Sequence, residues 1–264
     1  TQMRFAGAKT LLVSDRLRDK VARAGLARDV RLLPVDVPRP SKVRPARASA
    51  PYTAVMFTTG TTGKPKGAAH CHLAILQQYA TGKWVLDLHR DDLYWCTADP
   101  GWVTGTSYGM FAPWSNGITQ LIYEGGFKAI TWYELIQRYK VTVWYSAPTA
   151  IRMLMKAGEE IPARHDLSSL RHINSVGEPL NPEAIMWGLN VFKQAIHDNW
   201  WQTETGAILI GNTPALDVRP GSMGRPIPGI EAAILNDTYD KLPAGKEGNL
   251  AIRPGWPSMF RTYW

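Results

Sequence analysis

Short apolar runs alternate with helical stretches along most of the chain, the spacing expected of an α/β fold. Residues 11–14 and 30–35 read as strands around a charged helix at 15–24, and residues 52–57 as a short buried strand. The stretch 70–86 reads as mostly helical, so residues 58–67 are expected to join a strand to a helix. Further strands are predicted at 92–97, 118–123, 141–146, 170–176 and 195–201, with a helix at 131–139. Ala147-Pro148-Thr149 starts another helix, its proline suitably early. There Ile151, Met153, Leu154 and Met155 supply an apolar face, the methionines read as core. Asn181 and Pro182 cap a helix that runs to about Gln194.

From Gly221 the texture changes: Pro226, Pro228, Pro243, Pro254 and Pro257 separate short β-type runs at 230–235 and 249–252. The expected fold class is therefore α/β: layered, mostly parallel sheets flanked by helices, with the start of a small β-barrel-like subdomain at the C-terminal end. Residues 1–220 would form the α/β part and 221–264 an incomplete β subdomain. Within the first, residues 37–51 carry four prolines among Arg39, Lys42, Arg44 and Arg47 and read as a flexible basic connector.

The densest candidate chemistry is TTGTTGKPKG at residues 58–67. Glycines let successive backbone N–H groups converge on one anion, and hydroxyls and ammonium groups add donors, so polyphosphate is the natural guest. It is not a Walker A loop, because Thr58 and Pro65 stand where that motif needs glycine and Ser/Thr. In an open parallel sheet the strand C-terminal ends converge on one crevice, which would gather the loops at Gly60, Gly101, Gly177 and 202–206. Glu204 beside polyphosphate implies a divalent cation, since Mg²⁺ usually takes one or two carboxylates plus phosphate oxygens; an ordinary surface glutamate is the alternative.

Composition narrows the classes. The 264 residues are 45% hydrophobic and 20% charged, as in a globular protein, and no run approaches the eighteen or so apolar residues of a membrane span. Cys71 and Cys96 form no CxxC pair, so neither a disulfide framework nor a cysteine zinc site is suggested, and a reducing cytoplasm is the simplest setting. His70-Cys71-His72 cannot all face one ion from adjacent helical positions. The net charge of +8 suits either nucleic acid or polyanionic nucleotides. The basic connector lacks aromatic residues for base stacking, which disfavours nucleic acid.

Six ordered blocks span nearly the whole chain: Phe57-TTGTTGKPKG, Trp95-CTADPGWVTGTSYG, Tyr145-SAPTAIRMLMKAG, Ser175-VGEPLNPEA, Asp198-NWWQTETG and Gly221-SMGRPIPG. With them the chain resembles the adenylate-forming enzymes, most closely their AMP-forming acetyl-CoA synthetase branch. The resemblance implies a ligase that makes an acyl-adenylate from ATP and acetate, releases pyrophosphate, and passes the acyl group to coenzyme A. It places the β- and γ-phosphates on Thr58, Thr59, Gly60, Thr61, Thr62, Gly63, Lys64 and Lys66. Gly177, Glu178 and Pro179 would lie along adenine with Asp198, Asn199 and Trp200, and Gln202 would join the nucleotide site. Thr203 would contact the α-phosphate and Glu204 the Mg²⁺, which makes Thr58, Lys66, Thr203 and Glu204 the catalytic set. Val103, Thr104, Val176 and Trp201 match the acetate pocket, and Ala147 would border the pantetheine tunnel.

Asn199 stands where the family has threonine. The family also has an N-terminal region before Thr1 and, after Trp264, a ribose-binding aspartate, a hinge and a mobile domain with the adenylation lysine. The resemblance thus implies a binding-competent piece with impaired catalysis, in which neither Lys64 nor Lys66 is that lysine. A propionate or other short-acid ligase and a non-catalytic nucleotide-binding module are the alternatives.

Overall fold

The structure, a computed structural model, describes residues 10–13, 17–24, 31–34, 52–59 and 65–264. The basic connector at 37–51 and loop residues 60–64 lie outside the described residues. Strands β1 (Thr10–Val13) and β2 (Arg31–Pro34) pair in parallel, with α1 (Arg18–Arg23) between them in the chain. Next, β3 (Ala54–Thr59) and β4 (Pro65–His70) pair antiparallel, Thr59 opposite Pro65, before α2 (Ala74–Trp84) begins. This corrects the expected passage from strand through loop to helix: the segment after the loop is a second strand. The sequence PKGAAH hides it, because glycine and alanine lack the β-branched signature of a strand.

The remaining elements follow in chain order, the strands up to residue 200 falling where the apolar runs predict them and the helical turns at 103–116 unanticipated. They are β5 (Leu93–Cys96), α3 (Val103–Thr106), a π-helical turn (Ser107–Phe111), α4 (Ala112–Asn116), β6 (Thr119–Gln120), α5 (Ala129–Tyr139), β7 (Val143–Ser146), α6 (Pro148–Ala157), β8 (His172–Ser175), α7 (Pro182–Phe192) and β9 (Ile196–Trp200). After them come β10 (Ile210–Gly211), β11 (Arg225–Pro226), β12 (Ala232–Leu235), β13 (Asn249–Ile252) and β14 (Thr262–Tyr263).

A seven-stranded sheet runs β11-β10-β9-β8-β7-β5-β6, parallel from β9 to β6 and antiparallel at β10 and β11. The fold is thus α/β with a mixed, mostly parallel sheet flanked by helices. Strands β12 and β13 form a hairpin, and β14 returns to pair with β4, making a three-stranded sheet β14-β4-β3.

The central strands are buried on both faces, and the two-residue period sorts their side chains. On β7, Trp144 packs into an aromatic core with Trp95, Trp132 and Phe192, whereas Val143 and Tyr145 face the other cluster with Tyr94, Tyr108 and Trp201. Each buried aromatic side chain removes about 200 Å² from water, a gross contribution of roughly 5 kcal/mol before entropy. Helix α6 buries Ile151 and Leu154, but Met153 is 44% exposed, so its reading as core is corrected. Asn181 makes no side-chain cap to α7; its amide donates instead to Glu183 Oε2 at 2.7 Å.

Helix α2 inverts the usual pattern. Gln77, Gln78 and Thr81 face inward while Leu73 and Leu76 are exposed. The inward polar groups have specific work: Gln78 donates to Gly206 O at 2.9 Å, Gln77 Oε1 accepts from Ser258 N at 3.2 Å, and Thr81 bonds Tyr108 at 2.7 Å. They fix the segment after β9 from behind.

Beneath β8 and β9, the His172 and His197 rings meet at 4.4 Å, with Arg171, Asp87 and Asp92 nearby. Burial lowers both imidazoles, and His172 helps push His197 down to about 4. At His197 the unfolded chain therefore binds a proton near pH 6.5 that the folded chain refuses until about pH 4. Stability should fall as pH drops across that window, and His197→Asn should flatten the fall in urea midpoints between pH 7 and 5.

Candidate functional site

The loops that follow β5, β7, β8 and β9 all open at the C-terminal ends of parallel strands, where they line one cavity of about 800 Å³. Its walls take Thr97, Ala98, Asp99 and Trp102 to Thr104 from the first, Tyr145 to Ala147 from the second, Val176 to Glu178 from the third and Trp201 to Glu204 from the fourth. The β3–β4 hairpin closes the remaining side with Thr58 and Lys66. A second groove, of about 640 Å³, is lined by residues that precede β8 and β9 in the chain.

Two glycines permit these loops. Gly105 sits so close to the Asp99 carbonyl that a Cβ would overlap it, which folds 99–105 into a tight bend ahead of α3. Gly206 has φ +72°, and a Cβ there would overlap Ser258 O and crowd the His70 ring. The 202–206 turn is thereby held between the hairpin and the chain's last segment; His70, buried, contacts Ser258 O at 3.3 Å through Nδ1.

The cavity floor is aromatic. Trp201, 7% exposed, meets Tyr108 edge-on at 5.1 Å and donates through Nε1 to Tyr145 Oη at 3.3 Å. Tyr145 donates in turn to Asn199 Oδ1 at 2.9 Å, and Asn199 Nδ2 donates to Ser175 O at 3.0 Å. Burial raises the Tyr145 phenol well above its ordinary value, so it stays neutral. Val103, Thr104, Val176 and Ala147 stand around this floor.

The polar side is looser. Glu178 is half exposed, with Thr149 donating to its Oε1 at 2.5 Å and Arg152 paired to Oε2; these hydrogen bonds hold its carboxyl below the usual range. Asp198 is buried behind the cavity and accepts from Asn199 N at 2.9 Å. Burial pushes its carboxyl up to about 6.

Of the residues singled out in the sequence, Thr58, Lys66, Val103, Thr104, Ala147, Val176, Gly177, Glu178, Trp201, Gln202, Thr203 and Glu204 line the cavity together. Thr59 ends β3, Asp198, Asn199 and Trp200 end β9, and Pro179 is exposed just past Glu178. Gly60, Thr61, Thr62, Gly63 and Lys64 lie outside the described residues.

Similarity to known proteins bears on this arrangement directly. A family model described as "AMP-binding enzyme" matches residues 3–264. The chain belongs to the AMP-binding enzyme family. Acetyl-coenzyme A synthetase of Bacillus subtilis is 62% identical over 208 residues, 79% of this chain and 36% of the relative. That of Nitrosomonas europaea is 46% identical over 235 residues, again covering 36% of the relative and 86% of this chain. The chain thus spans about a third of the length of these curated relatives. Among solved structures, an acyl-CoA synthetase of Brucella canis superposes with a TM-score of 0.88 at 32% identity, over 99% of this chain and 51% of that one. An anthranilate CoA ligase in complex with anthranoyl-AMP gives 0.86 at 27% identity, over 100% and 54%.

Sequence reasoning missed Thr97, Tyr145 and Ser146 as cavity residues, whereas Trp102 lines the cavity as its place in the Trp-Val-Thr triplet between Gly101 and Gly105 leads one to expect. Tyr145 looks like strand core, and it is that too; the available signal was its place next to last in β7, just ahead of the loop that leads into α6.

Proposed function

We propose that this chain forms the acyl-adenylate site of an AMP-forming ligase that activates acetate with ATP and transfers it to coenzyme A. The observation that carries the proposal is the shared cavity. It sets Lys66 and Thr58 at one wall, Thr203 and Glu204 beside them, and a closed aromatic floor at Trp201, all on one space. Polyphosphate, the reacting phosphorus and a small apolar acyl group each find matching chemistry in that order.

Acetate would sit with its methyl against Trp201 and Val176 and its carboxylate toward Thr203. The neutral Tyr145 phenol puts no negative charge beneath it. The carboxylate oxygen attacks the α-phosphorus, and pyrophosphate leaves toward Thr58 and Lys66. Thiol attack on the acyl carbon then expels AMP, with Ala147 at the thiol's approach. Positioning and fixed charge do the work, so no side-chain nucleophile is needed.

Glu204 fits a cation only in partnership with the nucleotide. Among the described residues no cluster of three His, Cys, Asp or Glu could hold an ion alone. One carboxylate plus phosphate oxygens is a usual Mg²⁺ arrangement, so Glu204 would hold the ion together with the nucleotide, where it would neutralise charge on the departing phosphates. Gly177, Glu178, Pro179, Asp198, Asn199 and Trp200 are assigned to adenosine, and residues 58–66 to the β- and γ-phosphates. Among the described residues no helix is long and apolar enough to cross a membrane. A cytoplasmic setting remains part of the proposal, as does a β subdomain from residue 221.

Because the chain spans 36% of its relatives' length, binding tests the proposal more directly than turnover. A non-hydrolysable acetyl-adenylate should bind saturably and quench tryptophan emission. The propionyl analogue should bind about ten- to a hundredfold more weakly, the range for one methylene in an apolar pocket. A chain that binds AMP as tightly as the acetyl analogue would be a nucleotide-binding module only. Absence of saturable binding would overturn both readings.

A further inference from the structure

We infer that Tyr263 is a positioning residue for the cation subsite: it holds the Glu204 carboxylate in place and keeps it apart from Lys66. This rests on the adenylate-site reading of the cavity, but the residue lies outside every motif that supports that reading.

The geometry is specific. Tyr263 Oη donates to Glu204 Oε1 at 2.9 Å, and Lys66 Nζ lies 5.3 Å from the centroid of the same ring. One phenol thus touches an anion through its hydroxyl and a cation through its face. The ring is fixed in turn by the backbone. Thr262 and Tyr263 pair with Ala69 and Ala68 on β4, and Trp264 N donates to Gly67 O at 2.6 Å. Phe260 N donates to Glu204 O at 3.0 Å, and the Phe260 and Tyr263 rings meet at 4.9 Å. Strand β14 is therefore clamped to the lysine's strand on one side and to the glutamate's turn on the other.

The chemical consequence concerns two opposite charges on the wall of one cavity. A direct Lys66–Glu204 ion pair would spend both groups on each other and leave a triphosphate and its cation without partners. A phenol between them prevents this while keeping each charge partly satisfied, through a cation–π contact and a charge-assisted hydrogen bond. With Oε1 held by the hydroxyl, the second oxygen is directed for a cation that arrives with phosphate. The group acts through Glu204 and touches no reacting atom.

The test is calorimetric titration of ATP into the chain, with and without Mg²⁺, beside the acetyl-adenylate analogue, which needs no cation. Tyr263→Phe keeps the ring and removes the hydroxyl. It should lose about tenfold or more of the Mg²⁺-dependent gain in ATP affinity, the scale of one hydrogen bond to a charged group. Its Mg²⁺-free ATP affinity and its analogue affinity should stay unchanged, which a merely structural role would not produce. Tyr263→Leu should in addition weaken Mg²⁺-free ATP binding, as Lys66 turns toward Glu204. In a Glu204→Gln background, which should lack the Mg²⁺ gain, Tyr263→Phe should change nothing further. A Tyr263→Phe chain with the full Mg²⁺ gain overturns the inference and leaves the adenylate site standing. So does a parent chain that binds the analogue but shows no Mg²⁺ gain. Failure of the analogue itself to bind overturns the adenylate-site reading, and this inference with it.

Discussion

Trp201→Gly should reverse the chain-length preference of the proposed acyl pocket, from two-carbon to four- or five-carbon acyl-adenylate analogues. The indole is the floor of the cavity: it is 7% exposed, braced edge-on by Tyr108 and tied through Nε1 to Tyr145. Its removal opens depth beneath Val103, Thr104 and Val176 without touching the polar wall. Each methylene that fills the new space is worth about 0.8 kcal/mol, so two give roughly tenfold tighter binding than acetyl in the variant. The parent should show the opposite order. Truncating a buried tryptophan also costs stability, about 3–5 kcal/mol, so the ratio of analogue affinities is the proper measure once circular dichroism shows a folded chain. An unchanged ratio would remove Trp201 from the pocket and acetate from the proposal.

Much of this architecture was legible because burial leaves a plain trace in the chain. The run Val143–Ser146 reads as a buried strand, and so it is; which residue faces which core follows from the two-residue period only once the sheet is in place. The β4 strand escaped because its buried positions are Gly67, Ala68, Ala69 and His70, the first three small enough for close backbone packing and none of the four a strong strand former. Asn199 was legible as a hydrogen-bonding replacement for threonine, and the structure shows the use of that capacity: its amide links Tyr145 to the Ser175 carbonyl. Tyr263 was not legible at all. Its contacts to Lys66 and Glu204 depend on a strand pairing between distant parts of the chain, which no local pattern encodes.

Asp92→Ala should destabilise the chain by about 3 kcal/mol at pH 7, the lower part of the range for breaking a buried ion pair. The Asp92 side chain is 3% exposed, and its partner Arg171 is 33% exposed. Arg171 donates to both carboxylate oxygens, through Nε at 2.9 Å and NH2 at 2.5 Å. The Thr142 hydroxyl and His89 N each add a hydrogen bond at 2.7 Å. Together these fasten the starts of β5 and β8, the strands whose far ends carry the cavity loops. Burial alone would raise the Asp92 carboxyl, but the bonds from Arg171, His89 and Thr142 outweigh it and hold the group below its usual value. Its contribution is therefore complete above about pH 4 and disappears as acid protonates the folded state. The gap in urea midpoint between parent and variant should be widest at neutral pH and should narrow as pH falls below the ordinary carboxylate range. A variant within 1 kcal/mol of the parent at pH 7 would mean that Asp87, paired to the same guanidinium, suffices alone to anchor these strands.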